Sequence, residues 1–188
     1  MSHTATRKKR ATAPTVVLAT DSRVRILSSS HLAAGQLPGL SELEFGLIVA
    51  GNAFGRWVVR CMSAAGEADL TLTDILLLHH VHHRDRKKKL ADLCFTLNYE
   101  DTHIVSYALK KMVGLGLLNR ERVGKEVFYS TTANGGALIE RYRKVRDQCL
   151  LPSVQSEMID SEQLSQVAQL LRMLSGLYDQ AARGAASL

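Results

Sequence analysis

Apolar residues recur at helical spacing along most of the chain, and capping signals divide them into separate helices. The first helix is predicted to start at Ser41, which forms a capping box with Glu44, and to end near Ala65, before Gly66. Much of this helix is expected to be buried, because it carries the apolar residues Phe45, Ile48, Val49, Phe54, Trp57, Val58 and Cys61.

Three more helices are predicted in quick succession. The second begins with a Thr71–Asp74 capping box and ends near His82. The charged stretch Arg84–Lys89 predicts a turn and the first turn of a third helix, which ends near Thr96. Asn98 or Asp101 caps a fourth helix that ends near Val113, and its apolar face is Ile104, Val105, Ala108, Leu109 and Met112.

A short β-hairpin is predicted directly after the fourth helix. Leu117–Arg122 and Glu126–Ser130 have β character, and Val123-Gly124-Lys125 joins them. A fifth helix follows from about Thr132 and stops before Pro152. A last helix is capped by Asp160 and Gln163, and its apolar stripe is Leu164, Val167, Leu171, Leu174 and Tyr178.

This order of elements predicts a mainly α fold with a small β-hairpin wing, which is a winged helix-turn-helix with additional N- and C-terminal helices. Four segments are expected. They are a basic arm and linker at 1–40, a long helix at 41–69, the winged-helix domain at 70–149 and a C-terminal helix at 150–188.

Composition adds a charge asymmetry to this picture. The formal net charge is +6, and residues 84–144 hold thirteen Lys and Arg against seven Asp and Glu. Such asymmetry favours a polyanion as partner, either nucleic acid or an anionic membrane surface. We expect a cytoplasmic protein with no membrane partner, because no secretory signal or membrane-spanning run is present. Cys61, Cys94 and Cys149 lie far apart and are expected to be reduced.

The fourth helix is predicted to enter the major groove of duplex DNA, with the hairpin along the backbone or in the minor groove. The residues expected to face bases are hydrogen-bonding side chains off the apolar stripe, namely Thr102, His103, Ser106 and Tyr107. The residues expected to contact phosphates are Lys110 and Lys111, the cluster Arg86, Lys87, Lys88 and Lys89, and the wing residues Arg120, Arg122 and Lys125. The alternative for each residue is a solvated position on an amphipathic surface.

The middle of the chain resembles the MarR family of bacterial transcription regulators. Leu70–Leu78 is similar to the opening of that family's second helix, and Leu90–Leu93 to the start of its first helix-turn-helix helix. Ala108–Met112 with Gly116–Leu118 resembles the end of its recognition helix and the entry to its wing. Thr132–Leu138 is similar to the segment after the wing. Glu121 and Glu126 depart from the family pattern, because they interrupt the basic residues of the wing.

The resemblance implies a homodimer in which the long first helix and the terminal helices interlock. The apolar stripe of residues 164–178 fits such an interface, although it could instead pack within its own chain. The resemblance also implies a small-molecule effector pocket between the dimer helices and the DNA-binding lobe. Trp57, Tyr142 and His79 are candidate lining residues for it.

The sequence gives weaker support to other functions. His79 and His83 have a metal-ligand spacing, with His31 or His103 as a third ligand, but capping or solvent exposure is the favoured interpretation. Cys61 and Cys94 are candidate redox sensors or, more simply, small core residues. No enzyme activity and no cofactor are expected, because no nucleotide-binding or nucleophile motif is present. The alternative function is a winged-helix protein-interaction module that does not bind DNA.

Overall fold

The structure, a computed structural model, describes residues 37–188, so most of the predicted basic arm lies outside the described residues. The chain divides into two units, residues 1–49 and 50–188, and each is considered by itself. The helices of the described part are α1 Pro38–Ala64, α2 Leu72–His82, α3 Leu90–Leu97, α4 Thr102–Gly114, α5 Ala133–Cys149, α6 Leu151–Ser156 and α7 Ser161–Ala185. The strands are β1 Lys88–Lys89, β2 Leu118–Val123 and β3 Glu126–Thr131, and a 3₁₀ turn spans His83–Asp85.

Helix α1 begins at Pro38, so the predicted start at Ser41 is wrong. Proline is well suited to the first helical position, because its missing N–H would be unpaired there in any case. Its C-terminal residues Val58, Cys61 and Met62 are buried as expected. The predicted burial is wrong for Ile48, Val49 and Phe54 within one chain, where all three are exposed.

Helix α2 has the capping box that the sequence predicts. The Thr71 hydroxyl accepts a hydrogen bond from the Asp74 backbone N–H at 3.3 Å. The Asp74 carboxylate in turn accepts from the Thr71 backbone N–H at 2.9 Å. The box holds Asp74 inside the protein, where it is buried. Five of the eleven residues of α2 are buried and none is fully exposed, which places this helix at the centre of the core.

The segment before α3 differs from its prediction, because Lys88 and Lys89 form a strand and not a helical turn. They pair with Tyr129 and Phe128 of β3, so the sheet order is β1-β3-β2. The extended conformation is favoured here because it lets the two residues form backbone hydrogen bonds with β3. Helix α3 then begins at Leu90, and the Asp92 carboxylate accepts from the Lys89 N–H.

Strands β2 and β3 form the predicted hairpin, with Val123 opposite Glu126 and two residues in the loop. Gly124, the first of these, has φ +63°, a left-handed value that suits a two-residue hairpin loop with Gly in first position. Of the two candidate caps for α4, Asp101 is the one used, and Asn98 instead ends α3 in a left-handed conformation. The predicted winged helix-turn-helix order of elements is therefore present.

The core lies between α2, α4 and α5 and under the sheet. Val105, Ala108, Leu109 and Met112 of α4 are buried as predicted, but Ile104 is 50% exposed, so its place in the apolar stripe is wrong. Ile104 lies at the edge of the stripe, because it is rotated about the helix axis away from the centre of the buried face, toward solvent. The largest fully buried side chains are Met62, Ile75, Leu77, Leu78, Leu93, Leu109, Met112, Leu138 and Ile139.

The last helices follow their predicted caps. Thr132 caps α5, and Asp160 with Gln163 forms the capping box of α7. No residue of α7 is buried, and most of its apolar stripe is exposed. In the described part of the chain, no helix is both long and apolar enough to span a membrane.

Candidate nucleic-acid interface

Helix α4 presents a polar face opposite its buried one. The Asp101 carboxylate caps the helix by accepting from the His103 N–H at 2.8 Å. Thr102, His103, Tyr107 and Lys110 are exposed, and Ser106 is half-buried. The base-facing candidates are therefore accessible on one helix, with short polar groups in its first turn.

Lys111 has a different surrounding from Lys110. Its Nζ lies 2.8 Å from Oδ2 of buried Asp74 and 2.6 Å from the carbonyl oxygen of Asp69. The ammonium thus neutralises the carboxylate that caps α2. We assign Lys111 to the fold, because contact with a phosphate would require this partly buried pair to break. The capping box in the sequence already indicated the role of Asp74 at the start of α2. Its ion pair with Lys111 could not be predicted, because that pair depends on how α2 packs against α4.

Lys88 also has a structural role within the protein. It is 5% exposed, and its Nζ donates to the backbone carbonyls of His80, Val81 and His83 at the end of α2. Burial lowers the pKa of Lys88, and the nearby charges of Arg86 and Arg84 lower it further. Its ammonium satisfies carbonyls that a helix end leaves without partners. We therefore leave Lys88 out of the interface.

Two lysines of the cluster pair with carboxylates of the wing. Lys87 bonds Glu121 of β2, and Lys89 bonds Glu126 of β3. The Lys89 ammonium also lies 5.3 Å from the centroid of the Phe128 ring. These pairs bring the loop before α3 against the wing, so two of the three predicted basic groups meet. The two ion pairs also neutralise part of the positive charge of the loop, as expected from the two glutamates that interrupt the basic residues of the wing.

Exposed cations remain on α4, the loop and the wing. Arg86, Lys110, Arg120 and Lys125 are exposed and make no ion pair within the described residues. Arg122 is exposed too, and its Nε donates to the Gly124 carbonyl at 3.1 Å, which braces the loop of the wing. That α4 shares one surface with the wing and loop cations stays a prediction.

Comparison with known families shows what this arrangement is similar to. Residues 70–135 match the family model of the winged helix DNA-binding domain. These residues have the fold of a winged helix and are similar to that family of DNA-binding domains. The match begins just before α2 and ends at the start of α5, so it includes α3, α4 and the whole hairpin. No curated protein shows significant sequence similarity to the chain.

Solved structures extend the likeness beyond the winged helix. AbfR of Staphylococcus epidermidis matches with a TM-score of 0.62 at 16% identity, covering 78% of this chain and 95% of that one. A mutant of MarR from E. coli in complex with operator DNA matches with a TM-score of 0.59 at 15% identity, covering 75% and 99%. A MarR-family regulator from Rhodococcus sp. RHA1 gives 0.59 at 16%, covering 72% and 94%. The MarR-like fold predicted from the sequence is confirmed.

A groove rich in histidine lies at the C-terminal end of α2. Its volume is about 880 Å³, and it is lined by Leu76, His79, His80, His82, His83, Arg84, Leu97 and Arg143. The His79 ring meets Tyr142 edge-on, with centroids 4.5 Å apart. Burial and then the charge of Arg143 lower the pKa of His79, and both favour the neutral imidazole. The other two candidate lining residues are not among those that line this groove. Tyr142 is buried against His79, and burial raises the pKa of Tyr142 to about 12, while Trp57 packs against the core.

The metal and redox candidates gain no support from the winged helix or its surroundings. Within residues 37–188, no three His, Cys, Asp or Glu side chains are grouped to hold a metal ion, and His31 lies outside the described residues. Cys61 and Cys94 are buried, and this burial raises the pKa of both thiols. A raised pKa disfavours the reactive thiolate, so the interpretation as small core residues is the better one.

The two neighbouring lysines Lys87 and Lys88 give a matched test of the fold. We expect Lys88→Met to lower the free energy of unfolding by about 1–3 kcal/mol, because the carbonyls at the end of α2 lose their buried donor. Lys87→Met removes only an exposed ion pair and should change it by about 0–1 kcal/mol. Urea unfolding followed by circular dichroism measures both. Equal effects of the two substitutions would show that Lys88 does not cap α2.

Proposed function

We propose that this chain is a transcription regulator that binds duplex DNA sequence-selectively as a homodimer. The observation that carries the proposal is the winged helix at residues 70–135, whose α4 presents an accessible polar face with Lys110 unpaired among the described residues. In the known docking mode of this motif, the recognition helix enters the major groove and the wing follows the backbone. The likeness to a MarR structure solved with operator DNA supports the same mode here.

The proposed contacts divide into two groups. Thr102, His103, Ser106 and Tyr107 face base edges. The second group positions the backbone through cations that are exposed or only surface-paired, namely Arg86, Lys87, Lys89, Lys110, Arg120, Arg122 and Lys125. Lys88 and Lys111 support these groups from within the fold. Because Glu121 and Glu126 compete for Lys87 and Lys89, we expect the wing to contribute less to affinity than α4.

Dimerisation is proposed from the exposed apolar face of α7. Leu164, Val167 and Leu171 are each more than one third exposed on a helix of 25 residues. A face of this kind is stabilised by burial against a second copy. Two copies would present two α4 helices to a site with two-fold symmetry.

A small-molecule effector is a second element of the proposal, with the histidine-rich groove as its site. His79 Nε2 and His82 Nδ1 are buried without a hydrogen-bond partner among the described residues. Buried polar atoms of this kind are normally paired, so a bound molecule with matching groups would satisfy them. The apolar contribution comes from Leu76 and Leu97.

The direct test is duplex binding as a function of salt. Duplexes selected by the chain from a random pool should bind with an affinity that falls steeply as salt rises, because cations displace condensed counterions. A protein-interaction module would select no duplex and bind none at any salt. Lys110→Ala should weaken all sequences about equally and reduce the salt slope by about one. Lys144→Ala is the matched control, since Lys144 is an exposed lysine of α5 outside the proposed interface.

A further inference from the structure

The recognition helix lacks the side chains that most often identify a base pair. Thr102–Gly114 contains no Arg, Asn, Gln, Asp or Glu. Arg identifies guanine and Asn or Gln identifies adenine through paired hydrogen bonds, while Asp and Glu accept from cytosine. Of the two lysines in α4, Lys111 is held by Asp74, so only Lys110 remains accessible. The first two turns of α4 therefore have single hydroxyl and imidazole groups for hydrogen bonding, and little else that is polar.

An apolar surface accompanies these polar groups. Ile104 is 50% exposed, although the neighbouring Val105 is fully buried. Tyr107, one turn further along the same helix, is 74% exposed. Side chains three residues apart on a helix are neighbours, so Ile104 and the ring of Tyr107 form a continuous apolar strip beside Thr102 and His103. The strip lies in the first half of α4, where a recognition helix contacts base edges.

One base offers an apolar group in the major groove, and that base is thymine with its 5-methyl group. We propose that Ile104 recognises a thymine of each half-site through this methyl group, with Tyr107 packed beside it. The inference rests on the proposed function, because it requires α4 to lie in the major groove. It explains how a helix without paired hydrogen-bond donors discriminates between sequences.

Replacement of single thymines by deoxyuridine tests the proposal, because this change removes only the 5-methyl group. Duplexes selected from a random pool are resynthesised with one replacement at a time, and the Kd of each is measured. We expect at least one thymine per half-site whose replacement weakens binding by about 3- to 10-fold, the effect of removing one buried methyl group. Ile104→Ala should abolish the difference between thymine and deoxyuridine at that position, while Ile104→Val should keep it.

Val123→Ala is the matched control. Val123 is an apolar residue of the wing with 54% exposure, similar to that of Ile104, and a wing that follows the backbone lies outside the major groove, where the 5-methyl group is. This variant should keep the full difference between the two bases. Ile104→Ala should also keep the melting temperature and the salt slope of the wild type, since Ile104 is outside the core.

The outcomes separate the two proposals. Salt-sensitive binding with no response to any deoxyuridine, a selected site without a required thymine, or a response that persists in Ile104→Ala would overturn the role of Ile104 alone. Failure to bind any duplex would overturn the proposed function and the role of Ile104 together.

Discussion

Replacing Leu164 and Leu171 with Asp should convert the chain to a monomer and weaken its binding to a symmetric duplex by about 10²–10⁴-fold, because two linked contacts become one. The two leucines lie two turns apart on one face of α7, and both are exposed in the single chain. Carboxylates in the centre of an apolar interface would lose solvation without gaining a partner. Sedimentation equilibrium and duplex affinity are the two measurements.

The control places the same charges on the opposite face of the same helix. Ser165 and Gln169 are exposed and lie across α7 from Leu164 and Leu171. The double variant Ser165→Asp, Gln169→Asp should keep both the dimer and the affinity. The stripe would be shown not to hold the dimer together if the leucine variant stayed dimeric, or if both variants dissociated equally.

Exposed apolar residues on α1 are a second, independent observation that supports the proposed dimer. Ile48 is 63% exposed, and Val49 and Phe54 are exposed as well. From the sequence these residues belong to a buried helix, and the structure of one chain leaves them uncovered. Both observations agree if the cover comes from a second copy, which a sequence pattern cannot distinguish from burial within one chain.

Local signals predicted the helices well because their cause is local. The Thr71–Asp74 and Asp160–Gln163 boxes each depend on atoms three residues apart, and both formed where the sequence placed them. The predicted start of α1 was wrong because Pro38 and Ser41 both favour the start of a helix, and the helix begins at the earlier residue. The hairpin followed from its β-forming residues and Gly124.

The candidate interface was less predictable, because it depends on distant packing. Lys88 and Lys111 are indistinguishable in sequence from their neighbours Lys87 and Lys110. Only the packing of α2 against β1 and α4 brings Lys88 to helix carbonyls and Lys111 to Asp74. Ile104 could not be assigned to core or surface by spacing alone, since it lies at the edge of the stripe. Charge runs thus indicated the region of the candidate interface, and the contacts of Lys88 and Lys111 removed these two residues from it.

The junction between the wing and α5 contains the position that is least tolerant of a larger side chain. Gly135 is buried at the start of α5, and its N–H donates to the capping hydroxyl of Thr132 at 3.0 Å. A Cβ on Gly135 would lie 2.2 Å from the carbonyl oxygen of Leu117 and 2.8 Å from Cγ2 of Thr131. The Leu117 carbonyl already accepts from the Thr132 N–H at 3.1 Å, so it cannot move without loss of the cap.

Gly135→Ala should therefore lower the free energy of unfolding by about 3 kcal/mol or more, the upper range for an overpacked site, since the obstacle is backbone. Gly136→Ala is the matched control. Its Cβ would lie 3.6 Å from His82 Cε1, an ordinary contact, and alanine favours the helix by about 1 kcal/mol over glycine. The melting temperature and the urea midpoint should fall in Gly135→Ala and rise in Gly136→Ala. A Gly135→Ala chain as stable as the wild type would mean that α5 does not enter directly from the wing as described, and the position of the wing relative to α4 would have to be revised with it.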